Sequence, residues 1–255
     1  MWAMCGRYAS SASTAELAAQ FGLEQTVGDD VVPSWNVAPT DAVRAVVKRR
    51  PHQEAKEAPP VRQLRTMRWG LVPSWAKDRK GAARMINARA ETVTERPAFK
   101  AAAARRRCLL PALGYYEWQK SAQGKVPYFL HAPDREILAL ACLYELWPDP
   151  MLPADDQNRW LWSCTIITQP ATDLLGQIHD RTPVVVPAAL HEAWLDCASD
   201  DPDTARRLLK RVPAAHLAPY VVSSAVNSVR NDGPELIEAV DAAPLPPKAE
   251  PLEPC

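Results

Sequence analysis

The chain has 255 residues, 47% of them hydrophobic, enough to bury a sizeable core and near the upper end of what one domain holds. No run approaches the roughly 18 consecutive apolar residues of a membrane span, and the N-terminus lacks a signal peptide's basic-then-apolar pattern, so a cytoplasmic protein without a membrane partner is expected. Net charge is zero, which argues against a nucleic-acid partner until its distribution is read: Val61 to Arg107 holds 13 Lys or Arg against 3 acids, a local +10 that the remainder of the chain balances.

In chain order, Ser13-Thr14-Ala15-Glu16 reads as a capping box opening a short helix that Gly22 stops. Strand-like segments follow at Ala42 to Val47, Met67 to Val72, Cys108 to Pro111, Tyr115 to Trp118, Pro127 to Leu130, Ile137 to Cys142, Trp160 to Thr168, Val184 to Val186 and Pro219 to Val226. Helical patterns fall at Thr172 to Gln177, Ala188 to Cys197, Thr204 to Arg211 and Pro234 to Ala239. Many short strands with few scattered helices predict an α+β domain around a curved antiparallel or mixed sheet, not a doubly wound parallel one. Arg49 to Pro60 and Pro148 to Asn158 read as surface insertions without chemistry. From residue 241 onward the Pro-rich chain lacks the apolar periodicity needed to pack, so 241–255 is expected to be a disordered tail and 4–240 the folded domain.

Six cysteines, Cys5, Cys108, Cys142, Cys164, Cys197 and Cys255, form no C-x-x-C pair, and neither a Gly-rich phosphate loop nor an H-E-x-x-H helix is present. Reduced thiols, no metal and no cofactor are therefore expected. One thiol stands apart. Cys5 follows Met4, and an initiator Met is removed when the next side chain is small, as Cys is and Trp2 is not. As an N-terminal residue it would carry an α-amine of pKa about 7.7–8.0 and a thiol of about 8.5 on one carbon framework. Such a pair condenses with an aldehyde to an imine and closes to a five-membered thiazolidine, which an internal cysteine cannot do. On spacing alone, the competing reading of Cys5 as a small buried hydrophobe leads.

Seven ordered segments then change the weighing: Cys5-Gly6-Arg7-Tyr8, Trp35-Asn36-Val37-Ala38-Pro39-Thr40, Arg68-Trp69-Gly70-Leu71-Val72-Pro73-Ser74-Trp75, Ile86-Asn87-Ala88-Arg89-Ala90-Glu91-Thr92, Arg107-Cys108-Leu109-Leu110-Pro111, Gly114-Tyr115-Tyr116-Glu117-Trp118 and Ile178-His179-Asp180-Arg181-Thr182-Pro183-Val184, with an echo at Val226-Asn227. Together they resemble the SOS response-associated peptidase (SRAP) family over roughly Cys5 to Glu238. The resemblance implies a barrel-like core with peripheral helices, a monomer, and single-stranded DNA containing abasic sites as partner. It also implies a covalent, reversible capture of the abasic sugar's aldehyde by an N-terminal Cys.

The resemblance gives residues roles. Cys5 would be the nucleophile. Asn87 would orient the amine or the ring through its amide. Glu117, set among aromatics, would be desolvated and act as general acid/base. His179 would exchange a proton with the sugar hydroxyl, mattering most in release. Thr168 resembles a family hydroxyl near the site. Arg7, Arg89 and Arg181 would bind phosphates flanking the lesion, and Pro39, Trp69 and Trp118 would stack on or wedge against bases. The chain departs from the family by the prefix Met1-Trp2-Ala3, so Met4 is expected to be the true start or processing to expose Cys5. It also carries Leu113 where the family often has Asp or Asn. Two other readings compete: a cysteine-type peptidase built on Cys5, His179 and Glu117, and a noncovalent single-strand binder in which the basic stretch does everything.

Overall fold

The structure, a computed structural model, describes residues 5–50, 58–122, 124–196, 198, 201 and 203–241. The expected tail lies outside the described residues except for Asp241, as do residues 51–57 of the first insertion. Along the chain run β1 (Arg7–Ser10), α1 (Thr14–Phe21), β2 (Gln25–Val27), β3 (Ser34–Val37), β4 (Ala42–Arg49), β5 (Val61–Trp69), β6 (Asn87–Arg89), α2 (Pro97–Arg105) and β7 (Arg107–Ala112). They are followed by β8 (Gly114–Ser121), β9 (Gly124–His131), β10 (Leu138–Pro148), β11 (Trp160–Pro170), α3 (Asp173–Ile178), β12 (Arg181–Pro183), α4 (Ala188–Leu195), α5 (Asp203–Arg211) and β13 (Ala218–Val221).

Local chemistry explains several of these boundaries. Ser13 caps α1 through the Glu16 amide while the Glu16 carboxylate accepts the Ser13 N–H, and Gly22 closes the helix in the left-handed region at φ 61°. The expected Met67 to Val72 strand instead starts at Val61 and stops at Trp69, because Gly70 turns the chain at φ 121° and a Cβ there would lie 2.7 Å from the Ala82 carbonyl oxygen. The strand expected at Val184 to Val186 is a single bridge, Val185 opposite Leu140 of β10, and it directly follows β12, whose residues Arg181–Pro183 pair with β11. Pro219 to Val226 divides into β13 and a 3-10 turn at Ser224–Asn227, and Pro234 to Ala239 is a single 3-10 turn at Pro234–Ile237. The α2 helix, absent from the sequence reading, begins at Pro97 in its first turn. It ends against the buried Arg107 guanidinium, which donates to the Ala103, Ala104 and Trp194 carbonyls.

Five strands close on themselves in the order β5-β4-β7-β10-β11, the ring completed where β11 meets β5 in parallel at Ser163–Arg68 and Cys164–Trp69. Where β5 stops, β6 takes over its line beside β11, pairing Asn87 with Ile166 and Arg89 with Thr168. Alternate residues of all five strands, among them Val43, Ala45, Met67, Cys108, Leu110, Leu140, Cys142, Cys164 and Ile166, share one buried cluster inside the ring. The opposite faces, among them Val46, Leu64, Leu109, Ala141, Leu143 and Ile167, pack against α1, α2, α4 and α5. Because β10 is buried on both faces, its residues run apolar without alternation.

A second, five-stranded sheet, in the order β13-β9-β8-β1-β3, sets Tyr8, Tyr115, Tyr128 and Leu130 into the same interior cluster as the barrel. Its opposite face carries Ala9, Tyr116, Phe129 and Val222 in a separate small core. The architecture is thus one α+β domain with a barrel-like core and peripheral helices. Cys5 lies in the interior cluster at the junction between barrel and sheet.

Candidate active site

Strand β1 lies antiparallel to β8, with Arg7 opposite Tyr116 and Tyr8 opposite Tyr115, so the residues just before β1 run alongside Glu117. The Cys5 backbone N–H donates to Glu117 Oε1 at 2.6 Å, and both residues are buried. Cys5 itself adopts φ 40°, a conformation few residues other than glycine take. Burial raises the Glu117 carboxyl to about 7, against the hydrogen bonds from the Cys5 and Trp118 amides and with a further push from the Asp180 charge. Burial, reinforced by Glu117, also drives the Cys5 thiol well above its ordinary range, so it is held protonated.

The two-residue period of β8 divides its side chains between two environments. Tyr115 and Gln119 flank Glu117 on one face: the Tyr115 hydroxyl shares a 2.9 Å hydrogen bond with Thr182 Oγ1, and Gln119 Nε2 donates to the Gln177 carbonyl at 3.0 Å. The segment from 177 to 182, which contains His179, therefore runs along this face of β8. His179, the C-cap of α3, is partly exposed, with Nδ1 accepting the Arg181 N–H at 3.2 Å and standing 2.9 Å from Asp180 Oδ1. Asn87 opens β6 directly after Ile86, which packs in the same cluster as Cys5.

Trp118 points to the other face of β8, where its indole N–H donates to Asn227 Oδ1 at 2.7 Å. On that side Arg7 donates to Asn36 Oδ1, the Val226 carbonyl and the Asn227 carbonyl, clamping the Ser224–Asn227 turn. The fork expected to hold a phosphate is engaged within the protein. Arg181 is engaged likewise: 9% exposed, it grips the Glu91 carboxylate at 2.6 and 2.9 Å and donates to the Thr168 carbonyl at 2.6 Å. Thr168 is fully buried, its hydroxyl 3.4 Å from the Arg181 guanidinium. These two residues form a strut joining β11 and β12 to the turn after β6. Arg89 remains exposed, and Pro39 is half-buried in the turn where Asp41 accepts the Ala38 N–H.

Trp69 corrects the sequence reading. It is 0% exposed, packs edge-to-face on Tyr8 with ring centroids 5.3 Å apart, and donates its indole N–H to the Ile86 carbonyl. No base can reach its ring. The aromatic side chain in the same motif that faces solvent is Trp75, 66% exposed in a loop with the exposed Lys77, Arg79, Lys80 and Arg84. Its signal in the sequence is an aromatic interleaved with basic residues after the Pro73-Ser74 turn. Among the described residues no three His, Cys, Asp or Glu side chains stand together as a metal site, and no helix is long and apolar enough to cross a membrane.

The family model described as SOS response associated peptidase (SRAP) matches residues 4–229. The chain belongs to the SRAP family. Among SRAP relatives, the abasic site processing protein YoqW of Bacillus subtilis (strain 168) is 36% identical over 238 residues, covering 92% of this chain and 100% of YoqW. The abasic site processing protein HMCES of Gallus gallus is 30% identical, covering 93% of this chain and 78% of its own length. A solved structure of a protein from Bacteroides thetaiotaomicron superposes with a TM-score of 0.73 at 22% identity, covering 92% of this chain and 100% of that one, a likeness of fold. The matched stretch spans Cys5, Asn87, Glu117 and His179.

Proposed function

We propose that this SRAP protein processes abasic sites by capturing them covalently in single-stranded DNA through Cys5. The observation that carries the reading is the 2.6 Å contact between the Cys5 nitrogen and the buried Glu117 carboxylate. Once residues 1–4 are absent, that nitrogen is a primary amine next to a group that titrates near neutral pH. The amine adds to the C1′ aldehyde of the ring-opened sugar, giving a carbinolamine. Loss of one water leaves an iminium, and the Cys5 sulfur then adds to the same carbon and gives up its proton, closing a thiazolidine. Glu117 is suited to both tasks: protonated it assists the departing water, and as carboxylate it takes the thiol proton. His179 exchanges the proton of the sugar oxygen in opening and in reversal.

Asn87 would orient the ring in this reading, and Arg89, Pro39, Trp75 and the basic residues around Trp75 would hold the strand. The thiol's protonated state speaks against the peptidase alternative, since a cysteine protease needs a lowered thiol pKa. A uracil-excised oligonucleotide tests the proposal. Wild type should give a heat-stable adduct whose mass, after digestion, lies on Cys5 with the loss of one water. Cys5→Ala should give none while still binding. Equal covalent yield from Cys5→Ala, or turnover of unrelated peptides with no DNA adduct, would overturn it.

A further inference from the structure

His179 presents a single ring nitrogen to two partners that cannot both be satisfied. Accepting the Arg181 N–H at 3.2 Å requires a lone pair on Nδ1, whereas the approach to Asp180 Oδ1 at 2.9 Å is favourable only when Nδ1 carries a proton. The Arg181 amide therefore favours the tautomer with its proton on Nε2, and Asp180 favours the one with its proton on Nδ1. The choice decides what Nε2 can do. With the proton on Nε2 the neutral ring cannot accept another there. With the proton on Nδ1, Nε2 has a lone pair, and the protonated ring can release a proton from Nε2 without rearranging.

We propose that Asp180 is a positioning residue that selects the Nδ1–H tautomer of His179, leaving Nε2 to give a proton to the sugar oxygen and to take it back. The step balances. Imidazolium loses the Nε2 proton to the sugar oxygen and becomes a neutral ring whose remaining proton stays on Nδ1, bonded to Asp180; reversal runs the same transfer backwards. The carboxylate also acts on the second acid/base group, since its charge is one of the influences holding Glu117 up. The other charged or titratable groups around this turn are Glu117 on β8, Cys5, and the Arg181–Glu91 pair with Arg89 on β6. Changing Asp180 alone leaves these side chains in place but removes its push on Glu117, so the tautomer of His179 in the free protein is the deciding readout; Asp180 itself is 84% exposed.

This inference rests on His179 acting as proposed above, but its first test needs no DNA. Long-range ¹H–¹⁵N spectra of the free protein, at a pH where His179 is neutral, should show the Nδ1–H tautomer in wild type and in Asp180→Glu, and the Nε2–H tautomer in Asp180→Ala. On a preformed adduct, release by Asp180→Ala should slow by about 10-fold or more with capture less affected, and Asp180→Glu should restore it. Wild type in the Nε2–H form, or identical tautomers in wild type and Asp180→Ala, overturns the assignment whether or not an adduct forms. Absence of any adduct with the tautomers as expected overturns the covalent reading alone.

Discussion

At the scale of single residues, Glu117 shows how a strand position becomes a titrating group near neutrality. The unfolded chain ionises this carboxyl at about 4.3, whereas the folded protein holds it protonated up to about 7 because burial outweighs two amide hydrogen bonds. Between those values the native state binds the extra proton, so folding stability falls as pH rises through that window. At pH 8 the wild type carries nearly the whole cost of a buried charge, about 4 kcal/mol from the size of the shift. Glu117→Gln removes the charge while keeping an acceptor for the Cys5 N–H. Thermal melts should show the variant more stable than wild type by about 1–3 kcal/mol at pH 8 and similar near pH 5. Its rate of adduct formation should drop by about 10²-fold or more, read from gel-shift time courses. A variant both less stable at pH 8 and fully active would remove Glu117 from the chemistry.

At the scale of elements, the period of β8 and the turn at Gly70 sort side chains that the sequence leaves together. Glu117 and Trp118 are neighbours in the chain and face opposite ways in the sheet, so the half-buried Trp118 bonds the Asn227 side chain on the face away from Glu117. Trp69 and Trp75 lie six residues apart in one motif, one inside the barrel and one in water. Trp69→Ala should cost about 3–5 kcal/mol of stability in denaturant titrations, as for other large core truncations. Trp75→Ala should leave the melt unchanged and weaken binding to intact single-stranded DNA by about 1–3 kcal/mol, measured by fluorescence anisotropy. The reverse pattern would exchange their roles.

These elements also show what could be read in advance. The capping box and Gly22 located α1 because the signal is local: two hydrogen bonds within four residues and one left-handed turn. The start of β5 at Val61 was missed because its residues Arg62 and Arg65 interrupt the apolar pattern, and their long side chains are tied up by the Phe21 carbonyl, Glu192, Gln63 and the Trp162 ring. The α2 helix escaped because a run of alanines followed by arginines has little periodicity, and what anchors it is Arg107 reaching carbonyls of both α2 and α4. Cys5, Asn87, Glu117 and His179 were found through motif resemblance, since their spacing of tens of residues carries no periodic signal.

At the scale of the whole molecule, the basic stretch is distributed, not continuous. Arg62 pairs with Glu192, Arg106 with the buried Glu145, and Arg107 is enclosed. Besides Arg96, Lys100 and Arg105 on or beside α2, the exposed members are Lys77, Arg79, Lys80, Arg84 and Arg89, which gather on the loop around Trp75 and on β6. If these alone meet phosphates, log K for single-stranded DNA should fall against log salt with a slope of about −3 to −4, at about 0.7 per contact. A slope near −9 would mean that the entire stretch from Val61 to Arg107 engages DNA. Anisotropy titrations over a range of salt concentrations decide between them.

What the sequence by itself determined is what neighbouring residues impose on one another: the capped first helix, the strand-rich α+β class, and motifs specific enough to name a family. The meeting of the Cys5 nitrogen with Glu117, the engagement of Arg7 and Arg181 in internal contacts, the burial of Trp69 and the exposure of Trp75 were decided only in three dimensions. Charge, ring and hydroxyl can be read from a residue's name, but whether they face solvent, a partner or a reacting atom depends on closure of the barrel. That closure is fixed by strand pairings between residues far apart in the chain, such as Arg68 with Ser163.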